Sequence, residues 1–150
     1  MAKSNSDKIS TGNCGQYFVA AELERRGFTA ALTLVNTKDF DILAINRQNG
    51  KQFAIQVKTT SHDEKRWVLS KKVLTLKGKN IFYIFVVLHG KYGAPEYHIA
   101  PSTQISKVMR LGRERWLKTP GKKGQKHNDN NVHPFRDDKN KYLNRWEYLK

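Results

Sequence analysis

The sequence predicts a mixed α/β (α+β) domain: a central mixed β-sheet of about five strands, flanked by helices. Three observations predict it. An amphipathic stretch ends at Gly27, an apolar hairpin surrounds Asn49-Gly50, and "IFYIFVVL" (Ile81 to Leu88) has the continuous β-branched and aromatic character of a strand buried on both faces. At 150 residues the chain suits one core.

Taken in order, residues 1 to about 10 read as a frayed tail. Thr11 is the expected N-cap of a helix running to about Arg26, with Gly27 as its stop. On a helical wheel Gln16, Val19, Ala20 and Leu23 share one face, so Gln16 is the polar end of an apolar stripe. "AALTLV" (30–35) reads as a first strand, and the hairpin follows. "VLSKKVLTL" (68–76), the run at 81–88 and "PEYHIAP" (95–101) supply further strands. After Pro101, "STQISKVMRLGRERWLK" opens with Ser/Thr capping chemistry and reads as a helix. Residues 119–134, rich in Gly, Asn and Lys, read as a mobile basic loop. Residues 135–149 read as a C-terminal helix burying Tyr142, Trp146 and Leu149. The expected layout is a single domain over 1–150, with its core in about 11–118.

Lys and Arg number 28 against 13 Asp and Glu, leaving a net charge of +15. Such an excess attracts polyanions, and nucleic acid is the commonest of these. From Lys107 to Lys126 there are eight basic residues and one acid, Glu114, with Trp116 among them. Arg110, Arg113, Arg115, Lys118, Lys122, Lys123 and Lys126 are the expected phosphate contacts. The sole cysteine, Cys14, excludes an intrachain disulfide, and no Cys/His zinc spacing is present. The polar start "MAKSNSDKIS" lacks an apolar signal core, and the longest apolar run is too short to cross a bilayer. A cytoplasmic location without a membrane partner is the expectation.

The hairpin "FDILAINRQNGKQFAIQVKTT" carries polar residues at its open end. A two-residue turn at Asn49-Gly50 sets Asp41 opposite Lys58 and Leu43 opposite Gln56. Opposed residues share a sheet face, so Asp41, Gln56 and Lys58 should converge, with Phe53, Ile55 and Val57 lining the other face. The residues alone also permit a structural Asp–Lys cross-strand pair with Gln as a neighbour. Asp39 shares the parity of Asp41 and reads as a second, weaker ligand or a solvated loop residue. His127, Asp129 and His133 could form another metal or histidine site, though a basic loop touching nucleic acid fits them better.

Phe40-Asp41, followed by Gln56-x-Lys58, resembles the core motif of the PD-(D/E)xK nuclease superfamily in a D…QxK variant. "TGNCGQYFVAAELERRGF" resembles the leading helix of that family, and "FYIFVVL…PEYHIAPSTQI" its later strands and Pro-Ser-led helix, as in small bacterial endonuclease-like or Holliday junction resolvase-like members. The resemblance spans roughly residues 11 to 108 and implies a restriction-endonuclease-like core. It implies a DNA endonuclease using Mg²⁺ (or Mn²⁺), with Asp41, Gln56, Lys58 and Gln16 catalytic. It further implies Asp41, Gln56 and the Val57 carbonyl as metal ligands. Gln56 and Gln16 stand where the family usually carries carboxylates. That favours, as the alternative, a non-catalytic nucleic-acid-binding domain with a degenerate metal site. An immunity-type partner of an acidic protein is a third reading. Many enzymes that cut both strands work as symmetric pairs, so a homodimer fits the reading.

Overall fold

The computed structural model describes residues 4–34 and 39–150. Helix α1 spans Asn5–Arg25 and starts earlier than the sequence suggests. Ser4 caps it in a capping box: its Oγ accepts the Asp7 amide and its amide donates to Asp7, both at 3.1 Å. The Thr11 hydroxyl is spent on the Asp7 carbonyl inside the helix instead. Gly27, at φ +89°, ends the helix as expected.

Strand β1 (Phe28–Leu32) is followed by β2 (Ile42–Asn46) and β3 (Gln52–Thr60). Position 35 of the expected first strand lies outside the described residues. The β2–β3 loop has four residues, not two: the Asn46 amide donates to the Lys51 carbonyl and the Gly50 amide to the Asn46 carbonyl, both at 2.8 Å. The asparagine side chains explain the longer turn. Asn46 Oδ1 accepts the Gln48 amide at 2.9 Å and Asn49 Oδ1 the Lys51 amide at 3.0 Å. The hairpin register therefore differs from expectation by two residues, with Ile42 opposite Ile55. An even shift leaves every side chain on its expected face.

Strand β5 (Ile81–Val87) pairs parallel to β3, and β6 (Glu96–Pro101) antiparallel to β5. The five-stranded mixed sheet has the order β1-β2-β3-β5-β6. Strand β4 is shorter than the expected 68–76 segment. It covers Arg66–Ser70, passes into a 3₁₀ turn at Lys71–Leu74, and stands outside the main sheet. Its partner is β7 (Val132–Arg136), so the expected 119–134 loop ends in a strand. Pro134 is tolerated because this two-stranded ribbon has free edges.

Alternation along β5 splits the interior in two. Phe82, Ile84 and Val86 join Ile42, Phe53, Ile55 and Ile99 beneath Val19 and Leu23 of α1. Tyr83, Phe85 and Val87 join Trp67, Leu69 and Phe135 beneath Ile105 and Met109 of helix α2 (Ser102–Lys118). Ser102 does not cap α2. Its hydroxyl accepts the Gly78 amide at 3.0 Å and donates to the Gly78 carbonyl, fastening the chain that leads into β5.

The expected C-terminal helix is absent apart from a 3₁₀ turn at Trp146–Tyr148, although Tyr142, Trp146 and Leu149 are buried as expected. Asn140 and Asn144 adopt left-handed φ values of 56° and 52°, which interrupt a helix. Asp137 gathers the turn instead, accepting the Lys141 and Tyr142 amides at 2.9 Å each. His98, fully buried on β6, lies with Nδ1 2.6 Å from Asp137 and Nε2 2.7 Å from Glu96. This pins the C-terminal segment to the sheet.

Candidate active site

The site forms because β3 outruns its neighbour: β2 begins at Ile42, while β3 continues to Thr60. Asp41 stands at the mouth of this step. Its amide donates to the Ile55 carbonyl at 2.9 Å, which places it level with Gln56. Its carboxylate turns back onto β3. Oδ2 accepts the Val57 amide at 2.7 Å and Gln56 Nε2 at 2.5 Å. Oδ1 accepts Gln16 Nε2, reaching over from α1, at 3.1 Å. The Val57 carbonyl lies on the same strand edge as its amide, the edge that β2 leaves open. The structure thus brings Asp41, Gln56, Val57 and Gln16 together.

Helix α1 reaches this position through Gly15. A Cβ there would meet Thr59 Oγ1 at 1.9 Å, so only glycine lets the helix settle on the end of β3. Gln16 follows directly and is carried to Asp41.

Lys58 shares the face of Gln56, one sheet pleat further on, with no ion pair to Asp41 among the described residues. It influences the carboxylate through space. Burial pushes the Asp41 carboxyl above its ordinary value, and the Val57 amide, the Lys58 charge and the Gln56 amide oppose that rise without cancelling it.

Gln56 and Lys58 open into a cavity of about 260 Å³, shared with Asp39, Ser70, Lys72 and Tyr83. Asp39 lines this cavity from the loop before β2, with its side chain 35% exposed. It sits at φ +85° and pairs with Lys72 at 3.0 Å. Burial, then the Asp39 charge, pushes the Tyr83 phenol up to about 12, so its hydroxyl stays protonated. Tyr83 and Lys72 escape sequence reasoning. Tyr83 hides in an apolar run, and the Lys72 segment reaches the site only through the crossover between β3 and β5.

The basic residues of 107–126 divide. Arg113 is committed to Asp129 through Nε at 2.8 Å and through Nη2, and Lys71 also pairs with Asp129 at 2.8 Å. Arg113, then Lys71, holds the Asp129 carboxyl down at about 2. Arg110 lies 3.5 Å from Glu114. Arg115, Lys118, Lys122, Lys123 and Lys126 are exposed. His127 stacks on Trp116 at 4.2 Å between ring centres, and His133 meets the same ring edge-on. These histidines anchor the loop to α2. Among the described residues no three His, Cys, Asp or Glu side chains are grouped to hold a metal, so the expected alternative at His127, Asp129 and His133 is not formed. Among the described residues no helix is long and apolar enough to cross a membrane.

No protein-family model and no curated protein sequence matches the chain. Among solved structures, the bacterial homing endonuclease I-Ssp6803I matches with a TM-score of 0.56 at 12% identity, over 99% of this chain and 92% of that one. Hjc, a Holliday junction resolvase from the archaeal hyperthermophile Archaeoglobus fulgidus, matches with a TM-score of 0.47 at 16% identity, over 84% of each chain. The chain thus shares the homing endonuclease's fold, a five-stranded mixed sheet flanked by helices.

Proposed function

We propose that the chain is a metal-dependent nuclease that hydrolyses phosphodiester bonds in DNA. The observation that carries this reading is the bond between Asp41 and Gln56 where β3 outruns β2, with the Lys58 charge acting on the same carboxylate, on a fold shared with an endonuclease.

The donors suit one hard cation. Asp41 offers a carboxylate, Gln56 an amide oxygen and Val57 a main-chain carbonyl, all oxygen ligands of the kind Mg²⁺ or Mn²⁺ takes. Gln56 now turns its nitrogen to Asp41, so its amide must turn over to present Oε1. The cation supplies Lewis-acid polarisation of the phosphate and a lowered water pKa.

The chain's own residues do the rest. Asp41 supplies the negative charge that retains the ion. Gln16 holds Oδ1 of Asp41 and fixes the carboxylate's direction. Lys58, on the cavity wall beside Gln56, would offset charge growing on the phosphate oxygens or orient the attacking water. The Tyr83 hydroxyl, kept protonated, is a further donor in the cavity. The net charge of +15 draws the polyanion in.

A second reading has its own observation. Both Asp41 oxygens are already met by N–H donors from Gln16, Gln56 and Val57, which leaves the carboxylate satisfied without a cation. That is what a non-catalytic nucleic-acid-binding domain would retain. Supercoiled plasmid, flap and four-way-junction DNA, incubated with Mg²⁺, Mn²⁺ or EDTA, separate the two. The nuclease reading expects cleavage with metal alone, lost in Asp41→Ala while DNA binding persists. Equal product from wild type and Asp41→Ala, or none on any substrate, rejects it.

A further inference from the structure

Beyond the cavity of Gln56, Lys58 also faces a second, larger hollow of about 580 Å³. Its walls come from three elements: the first turns of α1, the end of β3 with the following turn, and β4. Lys8 and Thr11 precede Gly15 by seven and four residues, the spacing of a single helix face. Gly15 is seated on Thr59, so that face is turned towards the β3 extension and carries Lys8 over the hollow. Arg66 enters from the first residue of β4. Thr60, Ser61 and His62 form the rim, and Trp67 and Val68 give an apolar side.

No carboxylate lines this hollow. Of the nearby acids, Asp7 is held in the Ser4 capping box, Asp63 lies 2.9 Å from His89, and the Glu64 charge acts on Arg136. Lys8, Lys58 and Arg66 have no ion pair among the described residues. The cavity around Gln56, by contrast, has its Lys72 neutralised by Asp39, and α2 has Arg113 neutralised by Asp129. Three cations without an ion pair among the described residues line a hollow that shares Lys58 with the candidate active site.

We propose that this hollow is a binding subsite for the DNA backbone. It takes a phosphate next to the one at Asp41, so the bound strand runs from the Gln56 cavity across Lys58 to Lys8 and Arg66. The inference rests on the nucleic-acid reading of this face and adds a direction to it. The strand follows α1 and β4 from Lys58 onward.

The test is equilibrium binding of a short fluorescent duplex in EDTA across a salt series, which needs no turnover. Each phosphate contact contributes about 0.9 to the slope of log affinity against log salt. The double variant Lys8→Gln/Arg66→Gln should lose about 1.8 of that slope. The control Lys51→Gln/Lys150→Gln removes equal charge at the opposite end of β3 and should keep the wild-type slope. Lys8→Arg/Arg66→Lys should keep it too. Unequal slopes for the two neutralised pairs support the subsite even if plasmid cleavage is never seen. Equal slopes, or no binding by the wild type, overturn it even if cleavage is found.

Discussion

Gln16 and Asp41 lie 25 positions apart in the chain and meet through a 3.1 Å hydrogen bond between α1 and the mouth of the β2–β3 hairpin. Replacing the amide by a carboxylate sets two anions side by side with no cation between them. Gln16→Glu should therefore lower the melting temperature in EDTA, and Mg²⁺ should restore it by more than it raises the wild type. Gln56→Glu should act alike. A carboxylate near a divalent ion gains about 1–4 kcal/mol, so half-maximal Mg²⁺ should fall about fivefold or more. Melting curves against Mg²⁺ that coincide for wild type and both variants would refute a metal site at Asp41.

Asp41 also sets a pH dependence. Burial raises its pKa above the ordinary 3.8, so the folded state holds the proton more tightly than the unfolded chain. The stability this contributes is full below 3.8 and is lost as pH rises through the raised folded value. Asp41→Asn should accordingly gain stability relative to wild type on moving from acid to neutral pH without metal. Urea midpoints of the two proteins, taken as a difference at each pH, measure this. A difference that shrinks with rising pH contradicts it.

Gly15 should resist substitution despite lying inside a helix. Alanine improves helix propensity by about 1 kcal/mol, yet its Cβ would overlap Thr59 at 1.9 Å. Overpacking of this kind costs about 1–3 kcal/mol. Gly15→Ala should thus lower stability and disturb cleavage through Gln16, and adding Thr59→Ala should recover part of both. A Gly15→Ala variant more stable than wild type would show that α1 has room to spare.

Asp137 serves the C-terminal segment. Removing its carboxylate leaves Nδ1 of the buried His98 and two main-chain amides without their partner. Asp137→Ala should cost about 3–5 kcal/mol, read from urea unfolding monitored by Trp146 and its neighbours. A loss below 1 kcal/mol, about the size of a surface pair, would mean the segment is not held there.

Much of this was legible in the sequence, for a physical reason. A hairpin turn including Asn49-Gly50 was expected and is present, but its length and centre differ, because side-chain bonds from Asn46 and Asn49 favour the longer loop. The error shifted the register by two and left the convergence of Asp41 and Gln56 intact, since face depends only on parity. Strand β4 was legible as a strand and not as a member of a separate ribbon. Its partner Val132–Arg136 contains a proline and follows a loop-like segment, and period alone does not say which strands pair. Burial of Tyr142, Trp146 and Leu149 was legible from their apolar character. Their irregular backbone was not, because it depends on the left-handed turns at Asn140 and Asn144 and on Asp137, which is held in place by the distant His98.

Strands β3 and β5 lie parallel and adjacent, so the chain must travel the length of the sheet between them. That return passage carries Ser70, Lys72 and Leu76 along the flank of the Gln56 cavity. The cavity's floor and its flank consequently answer to different constraints. Residues of the floor are fixed by strand pairing and can change little without undoing the sheet. The passage is tied down at Trp67, Leu69 and Val73, but its exposed positions, Lys72 among them, are free to vary in charge. Differences in what such a site accepts can then arise in the return segment alone, while the floor that holds Asp41 and Gln56 stays as it is.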